Sequence, residues 1–155
     1  MAGNSRSIDA RGWIFEVEDG GTPGTWLPIA GITSWSMNPG ENEETAETTS
    51  FDSDGDYEED VMQRGASITI EGQYRIDKTT KAQDPGQAYV DKDWSPRLGI
   101  DSHNNLRWRH ETQSSWVVWD ATTTPGEQAG GTNEKTGWSA TFRKSGKATV
   151  SAVTP

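Results

Sequence analysis

The chain has 155 residues, 24 acidic and 14 basic side chains, a net charge of −10 and no cysteine; that is room for one domain with a real core, without disulfides, thiolate nucleophiles or cysteine-based metal sites. Leu, Ile, Val and Phe number only 21, a composition bordering on disorder, but eight tryptophans can each bury on the order of 200 Å² and so replace the missing aliphatics. No apolar run is long enough to cross a bilayer, the start MAGNSRSIDARG lacks an apolar signal region, and without a basic patch the acidic balance disfavours binding along nucleic-acid phosphates; the expectation is a soluble protein made in the cytoplasm.

Residues 1–11 read as a flexible arm and residues 12–155 as a single β domain. In WIFEVED, Trp13, Phe15 and Val17 share one face of a strand, the alternation of a half-buried antiparallel sheet. Trp26 to Ile29 and Ile32 to Met37 read as two short strands, and Ser67 to Arg75 as the cleanest one, with Ile68, Ile70, Gly72 and Tyr74 on one side. Asp84 and Pro85 supply an N-cap and a first-turn proline, so one α-helix is expected over 84–95, ended by Pro96. Leu106 to Glu111, Trp116 to Thr123, Thr136 to Lys144 and Lys147 to Val153 return to strands, with a polar loop from Pro125 to Glu134. The fold class expected is mainly β: an antiparallel β-sandwich or half-barrel with one α-helix on its side.

Between two of the early strands lies the excess charge. Glu41, Glu43, Glu44, Glu47, Asp52, Asp54, Asp56, Glu58, Glu59 and Asp60 fall within twenty residues that contain no Lys or Arg, which leaves fourteen acids to fourteen bases elsewhere. Like charges at this density repel and resist burial, so the segment is expected to be a solvated loop, disordered in a free subunit, or, where ETAETTSF is rich in Thr, one arm of a long hairpin.

Chemistry finds little footing in these residues. Asp52, Asp54, Asp56 and Glu58 alternate as a calcium loop begins, but Tyr57 stands where that loop needs glycine and Gln63 where it needs an acid. His103 and His110 lack zinc spacing, abundant carboxylates do not by themselves make a glycosidase pair, and there is no nucleophile elbow or phosphate loop. No catalytic residue, cofactor or metal is expected. A sugar-binding module is an alternative if the Trp rings are exposed; the spacing of Trp116 and Trp119 puts them on opposite faces of a strand, which favours core and interface roles.

The series DPGQAYV, LGID, LRWRHET and SWVVWDATTT, then GGTNE leading to TGWSATFRKSGKATV, with WLPIAGITSWSM and RGASITIEGQYR upstream, resembles the major tail tube proteins of long non-contractile-tailed bacteriophages over about residues 12–150. The resemblance implies a structural virion protein made in the bacterial host cytoplasm. Its subunits would form hexameric rings that stack head to tail into a tube through which viral DNA passes without specific binding. Implied partners are further copies of the chain, a tape measure protein, a tail terminator and baseplate-proximal tail proteins, with no membrane. A tail completion or baseplate-proximal ring protein of the same fold is the alternative.

On this reading the ten acids form an inter-ring contact, with Arg107, Arg109, Arg143, Lys144 and Lys147 as candidate basic counterparts on the neighbouring subunit. A lumenal position is the competing placement. Neither Glu47, Thr49 and Phe51 nor Thr48, Ser50 and Asp52 makes a clean polar face to decide between them.

Overall fold

Eight antiparallel strands form one sheet in the computed structural model, which describes residues 5–153. They are β1 (Trp13–Glu18), β2 (Trp26–Pro28), β3 (Ile32–Glu47), β4 (Glu59–Gln73), β5 (Asn104–His110), β6 (Ser115–Pro125), β7 (Gly137–Lys144) and β8 (Thr149–Ala152). The order is β2-β1-β5-β6-β7-β4-β3, and β8 pairs with the first half of β6 while β7 pairs with its second half. The mainly-β expectation holds, and of its two forms the rolled half-barrel is the one seen.

Alternation explains the roll. Phe15 and Val17 of β1, Leu106 of β5, Trp119 and Ala121 of β6, Ile68 and Ile70 of β4, and Trp138, Ala140 and Phe142 of β7 are all buried in one cluster. Both wings of the sheet therefore face the same core. Trp35 of β3, at one edge of the sheet, meets Trp13 and Phe15 of β1 near the other edge, with ring centroids 5.2 and 5.4 Å apart.

The remaining opening is covered by a helical segment. Asp84 caps it by accepting the Gln87 N–H (3.2 Å), and Pro85 opens it. Instead of one α-helix over 84–95 there is a single α-turn, α1 (Pro85–Ala88), which continues as a π-turn over Tyr89–Trp94. The reason is packing. In an α-helix Trp94 would sit about 140° around the axis from Tyr89, whereas the wider winding brings Tyr89, Val90 and Trp94 into the core together. The segment still stops before Pro96, as expected.

Gln87 fastens this cover. Its side chain is fully buried, donates to the carbonyls of Ala30 (2.9 Å) and Gln73 (2.8 Å), and accepts from the Arg75 N–H (3.1 Å). Gly86 is required for the same approach, since a Cβ there would lie 2.3 Å from the Pro28 carbonyl oxygen.

The expected N-terminal arm falls partly outside the described residues, at 1–4. Beyond them, Ala10–Gly12 form a 3-10 turn, and the Asp9 carbonyl contacts Nε2 of the buried His110 (2.8 Å).

Candidate assembly surfaces

The acidic segment is not a structureless loop. β3 and β4 run on as a two-stranded arm past the point where β7 ends opposite Ser67. From Ser67 to Glu59 it extends roughly 27 Å, at 3.4 Å per residue. Alternation is absent from its sequence because neither face is buried, and register shifts between Asn38 and Thr45, with Asn42 at φ 58°, break what periodicity the strand has. These features are why sequence periodicity missed the extension, although the Thr-rich ETAETTSF stretch pointed to the hairpin.

At the tip the chain reverses through a 3-10 turn, Phe51–Ser53, held by reciprocal bonds between Ser50 and Ser53. Asp54 (φ 51°) and Gly55 (φ 88°) complete the reversal in left-handed conformation. Thr49 Oγ1 accepts the Glu58 N–H (2.9 Å), and Ser53 Oγ donates to the Glu58 carboxylate. The acids that resemble the start of a calcium loop are thus turn residues. Among the described residues no three His, Asp or Glu side chains are grouped to hold a metal ion.

Nine of the ten acids are exposed; Glu41 is half-buried. Glu43 pairs with Arg64 of the same arm (2.8 Å), and Asp52, Asp54 and Asp56 are in no ion pair among the described residues. Glu47 stands directly opposite Glu59, a like-charge juxtaposition that weakens a ribbon. Both acids also hold the Tyr57 hydroxyl above its ordinary pKa of 10.0, chiefly through the hydrogen bond to Glu59. Amid this charge Phe51 is fully exposed, and Tyr57, Val61 and Met62 are largely so. The arm thus leaves apolar side chains in water among mutually repelling acids.

The candidate basic counterparts divide into two groups. Arg107 lies between Trp26 and Trp116, with its Cζ 4.3 and 4.0 Å from their ring centroids, and donates to Glu16 from Nε (2.7 Å) and Nη2 (2.5 Å). Arg109 also lies over Trp116, its Cζ 4.8 Å from the ring centroid, and donates to the carbonyls of His110, Glu111 and Gln113. Arg107 is thus paired and stacked within its own chain; Arg109 is engaged through Nη1, while its buried Nε has no hydrogen-bond partner among the described residues.

Arg143, Lys144 and Lys147 lie instead at the β7–β8 turn, where Lys144 and Lys147 join Arg64 and Asn42 around a hollow at the root of the arm. Arg143 donates to Thr124 Oγ1 (2.7 Å).

A further cationic element lies at the far end of β4. Arg75, Lys78 and Lys81 are exposed on a tight loop closed by an Ile76–Gln83 bridge and a bond from the Asp77 N–H to the Ala82 carbonyl (2.8 Å). The Asp77 carboxylate accepts the N–H groups of Thr79 (2.7 Å) and Thr80 (2.9 Å), which holds its carboxyl below the ordinary 3.8. The motifs of the sequence do not single out this loop; its one sign is Asp77 with threonines two and three residues on, the pattern of an Asx turn.

None of the eight tryptophans is exposed: Trp94, Trp116, Trp119 and Trp138 are buried, and Trp13, Trp26, Trp35 and Trp108 are half-buried. This removes the ring platform a sugar-binding module would need. Among the described residues β2, β3 and β8 also have an unpaired edge, and Leu98 and Ile100 are exposed. No helix among the described residues is long and apolar enough to cross a membrane.

No protein-family model and no curated protein matches the chain. Several solved structures share its fold. A chain in the C6-symmetric tail of an empty gene transfer agent particle aligns with a TM-score of 0.67 at 18% identity, over 94% of this chain and 100% of that one. A chain in the virion of a native gene transfer agent particle aligns at 0.63 and 17%, over 94% and 100%. A chain in the extended sheath–tube complex of an extracellular contractile injection system aligns at 0.56 and 13%, over 98% and 96%.

Proposed function

We propose that this chain is a tail tube subunit: a structural, non-enzymatic virion protein that self-assembles into the tail of a phage or phage-like particle. The observation that carries this reading is the match of almost the whole chain to a whole chain of a C6-symmetric tail, in a molecule whose longest element is an arm suited to contact. Because one of the similar structures is a contractile injection system, what the fold supports is the tail tube class. The narrower assignment to long non-contractile tails rests on the order of motifs in the sequence.

In this reading six subunits close a ring through the unpaired strand edges, which are stabilised by pairing with neighbours. Rings stack by heterologous contacts, which repeat without closing and so build an open tube. The arm from Glu41 to Asp60 reaches the next ring and loses its self-repulsion against basic residues there. The net charge of −10 suits a conduit for viral DNA, since a wall of like sign does not hold the polyanion. Tape measure, terminator and baseplate-proximal proteins are the partners such a tube requires at its core and ends.

Electron microscopy of the purified protein tests this directly. Tubes or stacked six-fold rings are expected. Rings that never stack would point to a completion or baseplate-proximal ring protein, and a protein that forms neither would overturn the assignment.

A further inference from the structure

Within the tube reading, on which this inference rests, we infer that the arm tip docks into the Arg75–Pro85 loop of a subunit in the adjacent ring, with Phe51 as the apolar plug and Lys78 and Lys81 facing Asp52 and Asp54. The two surfaces lie beyond opposite ends of one strand. Glu59 and Gln73, the ends of β4, are separated by roughly 48 Å at 3.4 Å per residue. Tip and loop therefore cannot meet within a subunit, but copies repeated along an axis bring them together. A stack needs complementary surfaces at opposite ends of the repeating unit, and this criterion separates the basic candidates.

Arg143, Lys144 and Lys147 lie at the root of the arm, on the same end of the sheet as the tip they would have to receive. Arg107 and Arg109 are stacked on Trp116. Arg75, Lys78 and Lys81 satisfy the requirement: they are exposed, lie at the far end, and are in no ion pair among the described residues.

Shape agrees with charge. The loop borders an open hollow of about 320 Å³ whose apolar lining is Ala30, Ile76, Ala82 and Pro85; Asp77 and Asp84 line it too, each with its carboxylate bound to backbone N–H groups, while Lys78 and Lys81 stand on the same loop outside that lining. Ile76 is 55% exposed there, and Phe51 at the tip is fully exposed, so each leaves apolar surface in water that the other would cover. Both partners are preorganised. The tip is fixed by its Ser50–Ser53 bonds, and the loop by Asp77 and by the bond from the Arg75 N–H to buried Gln87, which lowers the ordering cost of association.

The chain has no cysteine, so one introduced pair reports cleanly. Under mild oxidation, assemblies of the Phe51→Cys, Ile76→Cys double variant should give an open-ended ladder of disulfide-linked chains on non-reducing gels, while a Phe51→Cys, Val150→Cys control should not. Tubes without a 51–76 ladder would overturn this docking and leave the tube reading intact. A ladder capped at six chains would place the contact within a ring and overturn the axial arrangement. Failure of the unmodified chain to form rings or tubes at all would overturn both. As a second measurement, Lys78→Glu with Lys81→Glu should reduce tube yield at least tenfold, and adding Asp52→Lys with Asp54→Lys should restore it; a swap that fails to rescue would overturn the pairing.

Discussion

Trp13 and Trp35 belong to strands near opposite edges of the sheet, yet their ring centroids lie 5.2 Å apart with planes at 60°. No backbone ladder joins β1 to β3; side chains close the roll. Trp13 also contacts Trp108 (5.7 Å) and His110 (5.3 Å), and Trp35 contacts Phe15 (5.4 Å), so one aromatic cluster ties three strands. The closure explains how a chain with few aliphatic residues holds a core.

Removing Trp35 should therefore open the roll at its seam. Both rings are half-buried, so the cost falls below that of a fully buried Trp. Trp35→Ala is expected to destabilise by roughly 2–3 kcal/mol, against about 3–5 for complete burial. Urea unfolding measures it, and a loss under 0.5 kcal/mol would mean the seam is not structural.

The parts of the fold that sequence reading reached are those where one face is buried. Trp13, Phe15 and Val17, or Ile68 and Ile70, alternate because water lies on one side of them, and the pattern records it. The arm was reached only as an alternative, because β3 and β4 beyond Asn38 and Ser67 have water on both sides and bulges between. The helical segment was placed at its cap, but its π-winding answers to Tyr89, Val90 and Trp94 packing in three dimensions, which no local pattern encodes. Sequence distinguishes the basic candidates by charge alone. Which cations are free depended on Trp26 and Trp116, distant in sequence, enclosing Arg107.

Gln87 supplies a second test, because it satisfies three backbone groups of segments that no ladder joins directly to the helix. Gln87→Leu keeps the size but strands the Ala30 and Gln73 carbonyls and the Arg75 N–H. Each such group costs about 1–3 kcal/mol when fully buried; these three are part-buried and water recovers some of that cost, so a total loss of roughly 1–3 kcal/mol is expected. Gln87→Glu at neutral pH should be no better, as a carboxylate cannot donate to the two carbonyls. Thermal melts of both variants check this, and a wild-type melting point in either removes Gln87 from its fastening role.

Arg107→Lys should behave as a disruptive change despite its conserved charge. An ammonium cannot lie over both Trp26 and Trp116 while also meeting Glu16, which is only 17% exposed, and a planar guanidinium stacks where a point charge does not. A loss of about 1–3 kcal/mol is expected, with a change in tryptophan emission as the stack loosens. An unchanged spectrum would argue that the stack is incidental.

The Asp77 loop should respond to acid. Its carboxylate accepts two backbone N–H groups, so its folded pKa lies below the ordinary 3.8. A lowered carboxyl pKa gives stabilisation that is complete above the unfolded value and lost as pH falls through the folded one. The loop is therefore expected to stay ordered at pH 5 and loosen below about pH 3.8. Amide resonances of Thr79 and Thr80 followed by NMR should shift together in that window, and Asp77→Asn should abolish the shift.

The arm offers a test that separates subunit stability from assembly. Glu47 faces Glu59 across the ribbon, so Glu47→Lys replaces a repulsion with an attraction, a gain of about 0.2–1 kcal/mol. Glu44→Lys adds a base to the same acidic surface, and Glu43→Lys turns the exposed pair with Arg64 into a like-charge contact, a surface loss of about 1 kcal/mol or less that the Glu47 gain offsets. The triple variant should thus fold as well as the wild type. Yet it also erases the field that draws the arm to a basic neighbour, so tube formation should fall sharply. For the same reason assembly of the wild type should slow as salt rises from 0.05 to 0.5 M, values spanning Debye lengths from about 14 to 4 Å. Circular dichroism establishes folding, and turbidity with electron microscopy follows assembly. Normal polymerisation by a folded triple variant would show that these acids contribute nothing between rings, and would favour their placement toward the lumen, where their work would be repulsion of the passing DNA.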